Sequence, residues 1–555
     1  MKINPLCILN QKIYRKAKTM KSNLPKILFG LFIIGLVIFS IYILYFNKGK
    51  EDSSIPQTDI EPQIINDLRL GIAEFDTLNP ILSNNKNVQE ISKLIYEPLI
   101  TISKEYKAEG CLASEWSMID NNAYLIKLRE NVKFHDGNKF TAKDVKFTVD
   151  KIKDESISSI YKNNLKNVLN VEIIDEYTIK FTLTSNIPFF EYNLTFPILS
   201  ENYYLNQDFA TTSKNQNPVG TGKYKISSHE QEEIVLKKNQ NYWNNINKTE
   251  NNQYGINTVS VFLYSSMGEV YNAFKIGNID LVYTDNNNFE EYIGTLGYNK
   301  KEFKGRQYDF IALNCNSNVL SNLEIRRAIS YAIDKSAINS NIYNNKYYTA
   351  EFPLDYSNWI YTNQTASSGY NPEQVNTILL ENGWNLKNNV WQKTINNTTI
   401  RANLTLIVNS TNEQRCLVAD NIKEQLSAVG INVTVRKVSN SQYQNYLKNK
   451  NYDMILMGTN IGFSPNINTY LGETNYSNYT NEELKNILLE VYNISDENLL
   501  KEKYNRVYEI YRSEIPFISL YFNKNVVCYS SNLMGDISPN CYSIFYNIEN
   551  WYRQY

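Results

Sequence analysis

NLTLIVNSTNEQRCLVADNIKEQLSAVGINVTVRKVSNSQYQNYLKNKNYDMILMG, residues 403–458, alternates between two kinds of hydrophobic pattern. NLTLIV, INVTVRKV and YDMILMG are short apolar runs, which predicts three strands. Between them, Ile422, Leu426 and Val429 share one face of a helix that Gly430 ends as its C-cap, and QYQNYLKN predicts a second helix. The order βαβαβ implies a parallel sheet with right-handed crossovers, so the stretch predicts an α/β fold.

The loop that leaves the third predicted strand is a candidate binding site. Ligands of parallel sheets bind beyond the carboxyl ends of the strands, and GTNIGFSP, Gly458–Pro465, lies at such an end. An ordinary surface loop is the alternative. The candidate ligand contacts in this loop are Gly458, Thr459, Asn460, Ile461, Gly462 and Phe463.

A second informative stretch is LRENVKFHDGNKFTAKDVKFTV, Leu128–Val149, because it holds one of only two histidines. Asp136-Gly137 is a turn dipeptide, and Thr141 with Asp144 has the spacing of a capping box at a helix start. The segment therefore predicts strand, turn, cap and helix, with His135 in the turn. A catalytic or metal-binding histidine needs partners, and the sequence offers only His229, so a structural role for His135 is favoured.

Three further local patterns predict secondary structure. VEIIDEYTIKFTL predicts a hairpin around Asp175-Glu176. VLSNLEIRRAISYAIDKSAI predicts an amphipathic helix that opens with a second capping box, formed by Ser321 and Glu324. FISLYFNKNVVCYS, residues 517–530, predicts a pair of strands.

Length and charge limit the function classes. With 555 residues the chain is too long for one core, since single cores stop growing at roughly 250–300 residues. Nine of its 56 basic residues lie in the first 50 positions, which leaves 47 basic against 57 acidic residues in the remainder. A net charge of −10 in that remainder argues against a nucleic-acid partner.

The N-terminal region has the pattern of a membrane anchor. ILFGLFIIGLVIFSIYILYF, Ile27–Phe46, is an uncharged run of 20 residues preceded by seven basic residues and no acidic one. About 20 helical residues span a bilayer core, and the charge bias places the leader 1–26 in the cytoplasm and the rest outside. A cleaved signal peptide is the alternative, but FNKGKED offers no small-x-small cleavage site. Residues 47–66 are a polar linker with two prolines.

Motifs for catalysis, metals and cofactors are missing from the sequence. It contains no GxSxG, HExxH, Walker loop or paired Cys/His motif, so we expect no catalytic residue, no metal and no cofactor. Of the six cysteines, Cys528 and Cys541 flank a turn-rich stretch and are candidates for pairing, although scattered buried thiols are favoured. A hydrolase that uses two carboxylates stays open, because acidic pairs are plentiful.

Several of these segments occur in an order typical of one family. They are TLNP (77–80), LIYEPLI (94–100), the block LASEW to FTV (112–149), NPVGTGKYKI (217–226), NQNYW (239–243), FKIGNIDL (274–281), IRRAISYAIDK (325–335) and IPFISLY (515–521). In this order and spacing the chain resembles the family 5 extracellular solute-binding proteins of ABC importers, the oligopeptide, dipeptide and nickel-binding group. The resemblance runs from about Leu70 to Tyr552.

This resemblance implies a fold with two α/β lobes that close on a ligand and dock on a membrane permease. Residues 67–112, 206–308 and 533–555 would form the first lobe, 113–205 an inserted domain and 309–532 the second lobe. In family members that bind peptides, the ligand pairs through its backbone with both lobes, which gives affinity without side-chain choice. Carried over to this chain, the ligand contacts are Tyr96, Glu97 and Pro98 in the first lobe and Gly458 to Ile461 in the second. The hinge would lie near residues 308–314 and 530–535.

The chain departs from the family pattern in two places. Members in single-membrane bacteria are usually lipoproteins, but no cysteine follows Phe46, so the apolar run would replace the lipid. Peptide binders commonly carry a Trp and an Asp in the loop after the third strand, where this chain has Thr459 and Gly462. A buried ammonium without a carboxylate is costly, so either another acid serves or the ligand lacks a free amine there.

The sequence as a whole predicts a monomeric, membrane-tethered, extracytoplasmic solute receptor that is not an enzyme. Its partners would be a peptide or another small solute and an ABC permease. Nickel is disfavoured by the scarcity of histidine. The alternatives are a solute sensor of the same fold without a transport role, a receptor for a non-peptide solute, and a surface hydrolase.

Overall fold

The computed structural model describes residues 35–42, 63–120, 122–244, 255–284, 289–294, 297–362 and 369–555. The chain divides into two units, residues 1–63 and 64–555. In the first unit residues 35–42 form an exposed helix, α1. Most of the predicted apolar run 27–46 and of the linker 47–66 lies outside the described residues. No helix among the described residues is long and apolar enough to cross a membrane.

The second unit is mixed α/β. Its strands are β1 (Ile64–Ile65), β2 (Asp67–Ala73), β3 (Ile100–Ile102), β4 (Ala108–Gly110), β5 (Ala113–Asp120), β6 (Ala123–Leu128), β7 (Val168–Asp175), β8 (Thr178–Leu183), β9 (Tyr224–His229), β10 (Glu233–Lys238), β11 (Thr258–Tyr264), β12 (Leu281–Thr284), β13 (Tyr298–Leu313), β14 (Tyr347–Thr349), β15 (Asn385–Lys387), β16 (Val390–Ile395), β17 (Thr398–Arg401), β18 (Asn403–Asn409), β19 (Asn432–Val438), β20 (Met454–Asn460), β21 (Phe517–Ser530), β22 (Leu533–Met534) and β23 (Tyr552–Gln554).

Its helices are α2 (Lys86–Ile95), α3 (Ala142–Lys153), α4 (Lys162–Leu165), α5 (Glu201–Tyr204), α6 (Met267–Lys275), α7 (Phe289–Ile293), α8 (Leu323–Ala332), α9 (Lys335–Tyr343), α10 (Pro372–Glu381), α11 (Glu413–Ala428), α12 (Asn440–Asn449), α13 (Asn468–Leu471), α14 (Glu482–Glu490) and α15 (Glu497–Glu514).

One large sheet runs through the second unit. Its strand order is β19-β18-β20-β13-β21-β12-β2-β11-β10-β9, and β14 pairs with β21 off this path. We call β12, β2, β11, β10 and β9 the first half-sheet, β19, β18, β20 and β14 the second half-sheet, and β13 and β21 the crossing strands. A separate four-stranded sheet of order β5-β6-β8-β7 packs its inner face into the same core as the first half-sheet.

The crossing strands connect the two half-sheets. β12 pairs with residues Val526–Tyr529 of β21, whereas β20 pairs with residues Gln307–Leu313 of β13. Between Lys304 and Tyr308 the register with β21 shifts, so that residues 305–307 oppose the single residue Asn523. This irregularity precedes the hinge range 308–314 predicted from the resemblance.

The prediction of two strands in residues 517–530 is wrong, because β21 is one continuous strand of 14 residues. Asn523-Lys524-Asn525 resembles a turn locally. However, Lys524 and Asn525 pair with Lys304 and Phe303 of β13, which keeps the backbone extended through the crossing. The partner strand overrides the local preference.

The βαβαβ prediction for residues 403–457 is confirmed. β18 pairs in parallel with β19 from Asn403↔Asn432 onward, and also in parallel with β20, while α11 and α12 connect the strands. Helix α11 buries Ile422 and Leu426 as its spacing predicts. The C-cap is Val429 rather than Gly430, which follows with a φ of +84°. A Cβ at Gly430 would also lie 2.7 Å from Leu386 Cδ1, so glycine fits both the φ angle and the space.

The local predictions around residue 140 are also confirmed, as is the β7–β8 hairpin. Gly137 has a φ of +91°, and the Asp144 carboxylate accepts from the backbone N–H of Thr141 at 2.8 Å at the start of α3. The second capping box is wrong, because α8 begins at Leu323 with Asn322 as its N-cap. The Glu324 carboxylate instead accepts from Trp384 Nε1 at 3.0 Å and pairs with Lys393. It therefore bonds to residues distant in sequence rather than to the start of its own helix.

The described cysteines are all free thiols, as the sequence favoured, and the alternative pairing of Cys528 with Cys541 does not form. Cys528 is buried within β21, at the core between that strand and α6 and α7. The Cys541 thiol instead contacts the backbone carbonyl of Lys304 on the other crossing strand. Because the two cysteines serve different contacts, their closeness in sequence does not bring the sulfurs together.

Candidate functional site

A cleft lies beside the crossing strands at the carboxyl end of β20. Its inner part, about 20 Å³, is lined by Tyr106, Gly305, Arg306, Leu354, Asp355, Asn358, Ile461, Gly462, Phe463 and Cys541. Its outer part, about 560 Å³, shares Tyr106 and Asp355 and extends along Lys301–Lys304, Tyr348, Tyr356 and residues 537–540. Segments that are distant in sequence therefore meet here, and parallel-sheet geometry predicts a ligand at this edge.

Three of the predicted contact residues lie at the carboxyl end of β20 in the second half-sheet. Gly458, Thr459 and Asn460 pair with Asp309, Tyr308 and Gln307 of β13. The Thr459 hydroxyl lies 2.9 Å from the Tyr470 hydroxyl, and the Asn460 side chain is exposed. The edge of β20 opposite β13 pairs with β18 only at Met454 and Ile455, so its last residues have no strand partner on that side among the described residues.

Gly458 is glycine for a steric reason. A Cβ there would lie 1.6 Å from Arg415 Nη2 and 2.6 Å from Asp309 Oδ1. These two groups form a bidentate ion pair, with Nη2 2.8 Å and Nε 3.1 Å from the carboxylate oxygens of Asp309. Asp309 is 3% exposed, so the pair anchors the start of α11 to β13 directly behind the predicted loop.

The next three predicted residues, Ile461, Gly462 and Phe463, line the inner cleft. The Ile461 N–H donates to the Arg306 carbonyl at 2.9 Å, and Arg306 Nε donates to the Ile461 carbonyl at 2.7 Å. The Phe463 ring stacks on Tyr106, with centroids 6.0 Å apart, and meets Tyr542 edge-on at 5.4 Å. Tyr542 in turn contacts Lys93 of α2, so Phe463 joins the second half-sheet to the elements around the first.

Tyr96, Glu97 and Pro98 lie elsewhere. Their backbone groups bond within the first part of the unit: Tyr96 N–H to the Ser92 carbonyl, Ile198 N–H to the Glu97 carbonyl and Leu112 N–H to the Pro98 carbonyl. The Glu97 carboxylate is 6% exposed and accepts from Tyr242 at 2.6 Å and Trp243 at 2.9 Å, and burial raises its pKa. None of the three lines the cleft, so their role as ligand contacts stays a prediction.

His135 has a structural partner, the turn Gly220-Thr-Gly222. The Gly220 N–H donates to His135 Nδ1 at 3.3 Å, which assigns the proton to Nε2, 3.0 Å from the Gly222 carbonyl. Burial lowers the pKa of His135 to about 4, so the ring is neutral at physiological pH. Both glycines lie against the end of α2, since a Cβ at Gly220 would stand 2.0 Å from the Ile95 carbonyl oxygen.

The charged groups of the cleft, chiefly Arg306, Lys304 and Asp355, were not predicted from the sequence. Lys304 Nζ lies 3.3 Å from an Asp355 oxygen, and burial lowers the pKa of Lys304 to about 8. The stretch KGRQ, residues 304–307, interrupts an otherwise regular strand with two basic residues around a glycine. That interruption was the available signal, because charges inside a central strand need a special reason.

Metal ligands are not grouped in the described residues, where no cluster of three or more His, Cys, Asp or Glu side chains could hold an ion. The cleft offers several groups for noncovalent contacts. It presents backbone groups at the end of β20, an aromatic wall of Tyr106 and Phe463, and the cation of Arg306.

Comparison with known proteins agrees with this architecture. A family model described as bacterial extracellular solute-binding proteins, family 5 Middle, matches residues 107–481, about two thirds of the chain. The oligopeptide-binding protein AppA of Bacillus subtilis (strain 168) is 23% identical over 541 residues, which cover 93% of this chain and 97% of that protein. Its solved structure in complex with a nonapeptide has a TM-score of 0.55 and covers 89% of this chain and 100% of that one.

Two further relatives show the breadth of the similarity. The glutathione-binding protein GsiB of Escherichia coli O1:K1 / APEC is 28% identical over 280 residues, 48% of this chain and 51% of that protein. The solved structure of HbpA2 from Haemophilus parasuis is 21% identical with a TM-score of 0.73, covering 88% of this chain and 99% of that one. The structural likeness establishes the fold as that of the periplasmic binding proteins.

Proposed function

Since the chain belongs to the bacterial extracellular solute-binding proteins of family 5, we propose that it is the peptide-binding receptor of an ABC importer. In this proposal the two half-sheets are the cores of two lobes that close on the ligand by bending at the crossing strands. The ligand-loaded form would then deliver its peptide to a permease. The work is binding and closure, without covalent chemistry.

The observation that carries the proposal is the composition of the cleft wall. Tyr106 and Cys541 come from one side, Ile461, Gly462 and Phe463 from the other, and both sides are joined through β13 and β21. A ligand between such walls would contact both lobes at once, so its binding energy would favour the closed form. The bulge at residues 305–307, which follows Lys304, is the proposed hinge.

Peptide is the proposed ligand class for two reasons. AppA, which the chain matches over nearly its whole length, is an oligopeptide-binding protein by name. The end of β20 also has an edge without a strand partner among the described residues, where an extended chain would pair through its backbone. Tyr96, Glu97 and Pro98 remain the proposed contacts of the first lobe. This part of the proposal requires that closure of the lobes brings them nearer to the end of β20.

Attachment to the membrane through residues 27–46 is part of the proposal. The support is sequence-based: an uncharged run of 20 residues, the basic leader before it, and no cysteine directly after Phe46. A tether would hold a monomeric receptor near its permease and raise the effective concentration of the partner.

The test is native mass spectrometry of the full chain, extracted gently from its host membrane. A ladder of excess masses that fragment as peptides would support the proposal. A ligand-free mass that stays unchanged after incubation with a random peptide pool would contradict it, and one non-peptide adduct would redirect the assignment to a different solute.

Variants of the loop connect that test to the cleft. Asn460→Trp and Gly462→Trp place bulk at the end of β20 and inside the cleft, so we expect peptide affinity to fall about ten-fold or more while the fold survives. Gly462 tolerates a side chain, since a Cβ would meet only Ser464 N at 3.7 Å. Asn432→Trp, on an exposed site at the amino end of β19, is the matched control. Unchanged affinity in both loop variants would refute the assignment of this loop.

A further inference from the structure

Arg306 is a cation without a carboxylate partner. Its Nε donates to the Ile461 carbonyl at 2.7 Å, and its guanidinium lies over the Phe463 ring at 4.4 Å from the centroid. No acidic side chain pairs with it within the residues that the structure describes. Arg415 and Arg553, which are less exposed, pair with Asp309 and Asp280, whereas Arg129 bonds to backbone carbonyls and stacks on Trp243.

The geometry holds the guanidinium in the cleft. The Nε hydrogen bond and the aromatic stack fix two sides of the planar group and leave its terminal nitrogens for another acceptor. The side chain is exposed, so solvent reaches the guanidinium; nearby protein atoms lower its pKa, and it stays charged at neutral pH. An exposed guanidinium with free N–H donors is accessible to an anionic group that enters the cleft.

The other charges of the cleft do not supply that anion. The lining has four basic residues, Lys104, Lys301, Lys304 and Arg306, against three acidic ones, Glu105, Glu302 and Asp355. Each acid already has a partner: Asp355 pairs with Lys304, Glu302 with Lys524 at 2.8 Å, and Glu105 accepts from the Ser103 hydroxyl at 3.2 Å. The cleft lining thus has one more basic than acidic residue, and none of its acidic residues pairs with Arg306.

Resting on the proposed function, we infer that Arg306 receives an anionic group of the ligand, a carboxylate, through the free face of its guanidinium. Arginine matches carboxylate geometry with two parallel hydrogen bonds. The recognised part of the peptide would be its terminal carboxylate or an acidic side chain. Because Arg306 lies in the bulge of β13 and bonds to Ile461 on both backbone and side chain, the captured anion would also tie the loop to the crossing strand.

The experiment measures discrimination between charged and neutral ligands. The full chain is incubated with a pool of synthetic tetrapeptides that have free carboxyl termini, or with the same pool as C-terminal amides, and retained peptides are quantified by mass spectrometry. Hydrogen bonds to charged groups contribute enough binding free energy for a clear preference. The wild-type protein should therefore retain at least about ten-fold more of the acid pool than of the amide pool. A further amide pool with Glu in place of Gln separates an acidic side chain from the terminus as the source of the anion.

Variants assign the discrimination to Arg306. Arg306→Gln should bring the ratio of acid to amide retention close to one, whereas Arg401→Gln, which makes the same charge change on an exposed strand, should keep it. Gly462→Asp is the second variant, because it leaves Arg306 in place and introduces a competing carboxylate into the same cavity. A purely structural Arg306 would alter overall affinity without changing this ratio.

The outcomes separate the two proposals. Equal retention of all pools by the wild-type protein, or an unchanged preference for the anionic pool in Arg306→Gln, overturns the inference and leaves the peptide receptor standing. Retention of no pool overturns the inference together with the proposed function. Preference for either the acid pool or the Glu-containing amide pool, lost in Arg306→Gln, supports the inference and identifies the source of the anion.

Discussion

The junction of His135 with Gly220 and Gly222 makes a quantitative prediction about stability and pH. In the fold, Nδ1 accepts from the Gly220 N–H, so a second proton on the ring would meet a donor. Burial is the largest cause of the lowered pKa of about 4, and Lys225 lowers it further, while the bond to the Gly222 carbonyl and Asp136 act in the other direction. The unfolded value is about 6.5.

The sign and magnitude follow from these two values. A histidine with a lowered pKa in the folded state stabilises the fold above pH 6.5, and this contribution is lost as pH falls toward 4, because the unfolded chain binds the proton better. Linkage gives a loss of about 2 kcal/mol at pH 5 and about 3 kcal/mol at pH 4. Asp144, with its pKa raised to about 6, and Glu191, raised to about 7, act oppositely because burial disfavours their charged forms.

The assay therefore compares variants rather than absolute curves. Urea unfolding of wild type and His135→Gln at pH 7.5 and pH 5 cancels the contributions of Asp144 and Glu191, which both proteins share. We expect the wild type to lose about 2 kcal/mol more than His135→Gln over this change. Replacing the other histidine, His229→Gln, is the matched control for the loss of an imidazole.

Nuclear magnetic resonance provides a direct check, because the chain has only two histidines and hence two ring Cε1–H resonances. The resonance lost in His135→Gln should titrate with a midpoint near 4. A midpoint near 6.5, or equal pH dependence of the wild type and His135→Gln, would refute the account of this junction.

Two further predictions concern glycines at the crossing strands and behind the loop. Gly305→Ala would place a Cβ within 1.9–2.3 Å of the Asn523 amide, which accepts from the Gln307 N–H at 2.9 Å. Urea unfolding should show a loss of about 1–3 kcal/mol that Asn523→Ala partly restores in the double variant, and no loss would contradict the crowding. Gly458→Ala should break the Asp309–Arg415 pair and cost about 3–5 kcal/mol, like Arg415→Met. Additive losses in the Gly458→Ala/Arg415→Met variant would show that the two changes act separately.

The family and the local elements could be predicted from the sequence. Hydrophobic spacing in residues 403–457 depends on neighbours a few positions away, and the resulting βαβαβ unit forms as predicted. The Thr141–Asp144 cap and the β7–β8 hairpin are equally short-range. The same capping pattern at Ser321 and Glu324 failed, because the carboxylate found stronger partners in Trp384 and Lys393.

The candidate site could be predicted only in part. Residues 461–463 line the cleft because the carboxyl end of a parallel strand has a fixed position in the sheet. The residues that face them depend on how segments distant in sequence cross in the fold. Tyr106, Arg306 and Asp355 line the cleft opposite this loop, whereas Tyr96, Glu97 and Pro98 do not.

By itself, the sequence determined the family, the α/β class, the short-range caps and turns, and the loop at the end of β20, since each rests on neighbours within a few turns of chain. Three features depend on partners up to hundreds of residues away. They are the continuity of β21 through Asn523-Lys524-Asn525, the hydrogen bonds of His135 to the Gly220 turn, and the unpaired charge of Arg306. Only the tertiary structure decided them, because a hydrogen bond, a steric limit or a missing counter-charge exists only once both sides are in place.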